Sequence, residues 1–71
     1  MTTTFELRKK DEFIQLIQLL KVVGIAETGG AAQDMVLAGE VKVNGEVDLR
    51  KRAKIKPGDV VEVWEERIEV I

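Results

Sequence analysis

The sequence predicts an α+β fold, two short helices packed on a small, mainly antiparallel sheet. Two observations carry this. Between Phe13 and Ala38 apolar residues recur at helical spacing, and from Glu40 onward the period changes to two. Turn residues at Asn44-Gly45 and Pro57-Gly58 then divide the second half into short strands.

The first element is a strand, because Thr3, Phe5 and Leu7 alternate with Thr4, Glu6 and Arg8. Asp11 follows as the expected N-cap of the first helix, where a carboxylate accepts from free backbone N–H groups. Phe13, Leu16, Ile17 and Leu20 form its apolar stripe, Gln15, Gln18 and Lys21 its solvent side, and Gly24 its stop. A second helix is predicted from Thr28 to Ala38, capped by Thr28 and ended by Gly39, with Ala32, Met35 and Val36 facing the core.

Beyond Glu40, the odd positions Val41, Val43, Val47, Leu49, Ala53 and Ile55 are apolar and the even ones polar. Keeping Val43 and Val47 on one side requires a hairpin loop of odd length at Asn44-Gly45, since a two-residue loop would mix the faces. Residues 50–56 read as an irregular extended stretch, and Lys56 to Asp59 as a turn. Val60 to Trp64 and Arg67 to Ile71 are the closing strands, joined at Glu65-Glu66. No linker or repeat interrupts residues 1–71, so one domain is expected.

Composition narrows the function. The 71 residues contain no Cys, His, Ser or Tyr, and the hydroxyls are those of Thr2, Thr3, Thr4 and Thr28. Thiol and imidazole chemistry, zinc ligation through either group and the common nucleophilic triads are therefore excluded. A binding module is expected rather than an enzyme, with no cofactor. The longest apolar stretch, Phe13 to Val23, is broken by Gln15, Gln18 and Lys21, and the start of the chain lacks the apolar run of a secretion signal. A cytoplasmic protein, most simply a monomer, is expected.

The net charge of −2 conceals segregation. Residues 1–10 sum to +2, residues 11–41 to −4, residues 42–56 to +4 and residues 57–71 to −4. In the third segment Lys42, Arg50, Arg52, Lys54 and Lys56 share one parity, which in a strand places them on one face with Asn44. Forked guanidinium donors and mobile ammonium groups suit phosphate oxygens. The competing reading is an ordinary solvated face, and Glu46 and Asp48 favour it. The Thr28-Gly29-Gly30 helix start offers free N–H groups to an anion, or is simply a cap. Trp64 is expected as a partly buried core residue, with base stacking the alternative. The acidic residues Glu62, Glu65, Glu66 and Glu69 read as a solvated edge rather than a cation site.

Gly39-Glu40-Val41-Lys42-Val43-Asn44-Gly45, at its spacing from Met35-Val36 and from Gly58-Asp59-Val60-Val61-Glu62-Val63, resembles the S-four-type RNA-binding domain, or alpha-L motif. That domain is named from small-subunit ribosomal protein four. The likeness spans roughly residues 11–64. Gly29-Gly30-Ala31 and Arg50 to Ile55 are most similar to its stand-alone bacterial, YbcJ-like branch. The resemblance implies non-catalytic binding of structured RNA, ribosomal or transfer RNA, by shape and phosphate contacts. It implies contacts at Thr28, Gly29, Gly30, Lys42, Asn44, Arg50, Lys51, Arg52, Lys54 and Lys56. The family's Ser-Arg pair is Thr28-Gly29 here, and Gln33 and Asp34 replace basic helix residues, which shifts weight to Arg50 to Lys56. The alternative is a protein-interaction adaptor that docks through Val60 to Ile71 or adds a strand to an open edge.

Overall fold

The computed structural model describes every residue except Lys9, a member of the basic N-terminal segment, which lies outside the described residues. It contains strands β1 (Thr2–Phe5) and β2 (Ile14–Gln15), helices α1 (Leu16–Val22) and α2 (Gly29–Leu37), and strands β3 (Val41–Val43), β4 (Glu46–Val47), β5 (Lys54–Ile55), β6 (Val60–Val63) and β7 (Glu66–Val70). Five strands form one sheet in the order β1-β7-β6-β3-β4, and β2 pairs with β5 in a second, two-stranded ladder. Among the described residues the β1–β7 pairing is parallel and the others are antiparallel. The predicted α+β class therefore holds.

One face of the large sheet is apolar. Val41, Val61, Val63, Ile68 and Val70 are buried there against Leu16, Leu19 and Leu20 of α1 and Ala32 and Val36 of α2. Ala53 and Ile55 close the core at the second ladder. At about 25 cal/mol per Å² of apolar area removed from water, these side chains are the main favourable term for so short a chain. The other face carries the alternate residues. Lys42 stands opposite Glu62, and Glu62 opposite Arg67.

Helix α2 follows its sequence signals closely. The Ala31 N–H donates to Thr28 Oγ1 at 3.0 Å, and the helix ends at Ala38 and Gly39. Gly24 and Gly39 take φ of +86° and +77°, the left-handed conformation that releases the chain from each helix.

Helix α1 starts later than predicted. Its N-cap is Gln15, which makes no side-chain capping bond, and Asp11 is not the cap. Residues before Leu16 are drawn into the β2–β5 ladder instead, and backbone carbonyls from a distant loop take the cap's place. The Leu16 N–H donates to the Ala53 carbonyl at 2.9 Å and the Ile17 N–H to the Lys51 carbonyl at 3.2 Å. Phe13 consequently lies outside the helix and is 37% exposed, and Leu19 fills the core position.

Two hairpins also depart from prediction. Val43 pairs with Glu46 and Lys42 with Val47, so the Asn44-Gly45 loop has two residues rather than an odd number. Asn44 and Gly45 both have positive φ, the geometry whose twist matches the flanking strands. The faces do mix, and the result is an exposed Val47. The β6–β7 connection is Trp64-Glu65, because Val63 pairs with Glu66. Trp64 is thereby lifted out of the core and is 62% exposed.

Candidate nucleic-acid interface

The basic segment is a braced loop, not one strand face. The ladder stops at Val47, and the chain turns through residues 48–53 before pairing again at Lys54–Ile55. Lys42 and Lys54 belong to different sheets. Shared parity therefore fails as a guide to shared surface once the strand is broken.

The bracing begins at Asp48. Its carboxylate accepts from the Arg50 backbone N–H at 2.8 Å, from Arg50 Nε at 3.1 Å and from Arg50 Nη2 at 2.9 Å. These bonds from Arg50 hold the Asp48 carboxyl below its ordinary value of 3.8. The Ala53 N–H then donates to the Arg50 carbonyl at 3.0 Å, closing a turn with Lys51 and Arg52 at its tip. The carbonyls of Lys51 and Ala53 accept from Ile17 and Leu16, so the same turn is bonded to the start of α1. Lys54 Nζ lies 5.0 Å from the centroid of the Phe13 ring, a cation–π contact on the flank of the loop. The Lys56 N–H donates to Asp59 Oδ2 at 2.8 Å, fixing the far end.

The cations differ in availability. Among the described residues the ion pairs are Arg50–Asp48 and Arg67–Glu69. Lys51, Arg52, Lys54 and Lys56 carry no carboxylate partner, and Arg52, Lys54 and Lys56 are exposed. Lys42 sits apart on the outer sheet face beside Glu62. Asn44 is exposed, but its amide is already used internally. Its Nδ2 donates to Asp59 Oδ1 at 3.1 Å, and its Oδ1 accepts from the Val60 N–H at 2.9 Å. Thr28, Gly29 and Gly30 stand at the start of α2, with the Thr28 hydroxyl engaged as the cap. The structure thus gathers Arg50, Lys51, Arg52, Lys54 and Lys56 on one loop and leaves Lys42 and Asn44 on the large sheet.

Sequence reasoning missed two members of this arrangement. Phe13 was assigned to the core stripe, yet it supports Lys54. Asp48 counted against a basic face, yet it organises Arg50. An acid two residues before an arginine in a non-helical stretch is the local signal for such a side-chain turn.

The acidic C-terminal residues do not converge. Glu69 pairs with Arg67, and among the described residues no group of three could hold a metal ion. Strands β6 and β7 are interior to the sheet, whose edges are β1 and β4, so of the adaptor's two modes strand addition would fall on β1 or β4 rather than on Val60 to Ile71. Among the described residues, no helix is long and apolar enough to cross a membrane.

Comparisons with known proteins agree with this geometry. A family model described as the S4 domain matches residues 5–71. The putative RNA-binding protein YbcJ of Escherichia coli K12 is 38% identical over 68 residues, 96% of each chain. The probable ribosome maturation protein RlbA of Bacillus subtilis is 42% identical over 52 residues, 73% of each chain. The solution structure of E. coli YbcJ, described as an alpha-L motif involved in RNA binding, superposes with a TM-score of 0.75 at 38% identity, covering 97% of this chain and 86% of that one.

Proposed function

The chain belongs to the S4 domain family, and from that premise we propose that it binds structured RNA, without catalysis, through the loop from Arg50 to Lys56 and the neighbouring cations. One observation carries the reading. Four cations without carboxylate partners project from a loop whose backbone is bonded to α1, so they are presented together in a chain of net charge −2. A loop held at both ends loses little conformational entropy when it meets phosphates. Low aromatic content, 4% of the chain, fits recognition by shape and phosphate position rather than by a stacking platform.

Lys51, Arg52, Lys54 and Lys56 are the main phosphate contacts in this reading, and Arg50 adds the outer edge of its guanidinium. Thr28, Gly29 and Gly30 supply backbone contact at the α2 start. Lys42 is peripheral, and Asn44 acts by holding the β3–β4 hairpin. Ribosomal RNA is the favoured class, since one relative is named as a ribosome maturation protein. Residues 1–71 act as a single domain, a monomer in the cytoplasm.

The test is a paired charge reversal. Lys51→Glu with Arg52→Glu is expected to weaken binding to structured RNAs uniformly and to reduce the salt dependence. Neutralising three or four phosphates gives a slope of log K against log salt of roughly −2 to −4 in the wild type. Lys42→Glu is expected to change affinity far less. Equal effects from the two changes would move the interface to the sheet face.

A further inference from the structure

Trp64 occupies a place the fold does not favour for it. It lies in the two-residue turn between the paired residues Val63 and Glu66, with φ of 55°. Glycine, asparagine and aspartate take that left-handed conformation readily, and a bulky aromatic residue there is an outlier. Burial does not compensate, because the side chain is 62% exposed. A strained, exposed aromatic side chain asks for an explanation outside the folding of the chain.

Its surroundings select the partner. Val41 pairs with Val63, so the preceding Glu40 lies across from Trp64 at the same end of the sheet. Glu40 and Glu65 are exposed, and Glu66 closes the turn. On its own hairpin the nearest basic side chain to Trp64 is Arg67, which is engaged with Glu69, while the Met1 ammonium donates to the Glu65 carbonyl at 2.8 Å and places one cation at the turn. Glu40, Glu65 and Glu66 outnumber that ammonium, so the turn disfavours a phosphate. A guanidinium or ammonium group is attracted twice, by the carboxylates and by the indole face. The geometry points to the Trp64-Glu65 turn as a docking point for an arginine- or lysine-rich segment of another protein, separate from the basic loop proposed to meet RNA.

Trp64 is the sole tryptophan and tyrosine is absent, so the intrinsic fluorescence of the full chain reports on this turn. Titration with an oligo-arginine peptide is expected to shift that emission and to move the amide resonances of Glu40, Glu65 and Glu66. Titration with a structured ribosomal RNA fragment is expected to leave the emission unchanged. Trp64→Leu keeps every carboxylate and is expected to weaken peptide binding about 3- to 10-fold, as read by the same amides. Trp64→Gly relieves the turn and is expected to melt no lower than the wild type while losing the peptide site to the same degree. Peptide affinity unchanged in Trp64→Leu, or no emission shift with peptide, overturns the proposal. An emission shift produced by RNA also overturns it and assigns Trp64 to the nucleic-acid surface.

Discussion

The backbone N–H of Leu16 donates to the carbonyl of Ala53 at 2.9 Å, joining the first turn of α1 to the basic loop. The bond does two things at once. It satisfies a helix N–H that no side chain caps, and it fixes the loop that presents Lys51, Arg52 and Lys54. Helix and loop are therefore expected to open together.

Ala53→Pro tests that coupling. The substitution removes the N–H that donates to the Arg50 carbonyl and biases residue 52 toward extended conformations. It is expected to cost about 1–3 kcal/mol. The Leu16 and Ile17 amides are expected to lose hydrogen-exchange protection more than those of α2. Unchanged protection at both amides would separate the loop from the helix.

Asn44→Ala removes the amide that bonds Asp59 and the Val60 N–H and places alanine at positive φ. A loss of about 1–3 kcal/mol is expected by urea denaturation. Under conditions where the variant is folded, its RNA affinity is expected to stay within about twofold of the wild type, because Asn44 supports the hairpin and the cations lie elsewhere. A large affinity loss in a folded variant would make Asn44 a direct RNA contact.

Asp48 links loop geometry to pH. Its carboxyl is held below the ordinary value of 3.8, first by the side-chain hydrogen bonds from Arg50. A depressed folded-state value stabilises the fold above the ordinary carboxylate range, and that stability is lost as pH falls through the folded-state value. Acid titration is expected to lower the urea midpoint in the wild type in that strongly acid window. In Asp48→Asn this part of the pH dependence is expected to disappear. Identical acid profiles would show that the pair contributes nothing to stability.

Gly39→Ala isolates a conformational effect. A Cβ at that position would lie 3.9 Å from Val47 Cγ1, an ordinary contact, so the cost comes from φ of +77° alone. A destabilisation of about 1–2 kcal/mol is expected. A stability equal to the wild type would show that the helix end relaxes into a right-handed conformation.

The second helix, its Thr28 cap and both helix-ending glycines were legible in the sequence because their signals are local. The start of α1 was not, since its capping carbonyls come from residues 51 and 53, far away in the chain. The Asn44-Gly45 dipeptide carried the right loop length, and the alternation of Val43 and Val47 argued against it. Turn geometry won because an exposed Val47 costs less than a mismatched twist. The basic residues were found, but parity assigned them to one strand face, and a side-chain turn at Asp48 breaks that strand. Trp64 was misplaced because residue type favours burial, whereas the pairing of Val63 with Glu66 puts it in the turn.

The proposed RNA surface is the loop from Arg50 to Lys56. An amide-shift titration with a structured ribosomal RNA fragment at two salt concentrations tests it most directly. Salt-sensitive shifts are expected at Arg50 to Lys56, with smaller ones at Thr28 to Gly30, while Glu62, Arg67 and the Trp64 turn stay still. Shifts confined to the outer sheet face around Lys42, or no shifts at low salt with several structured RNAs, would contradict it.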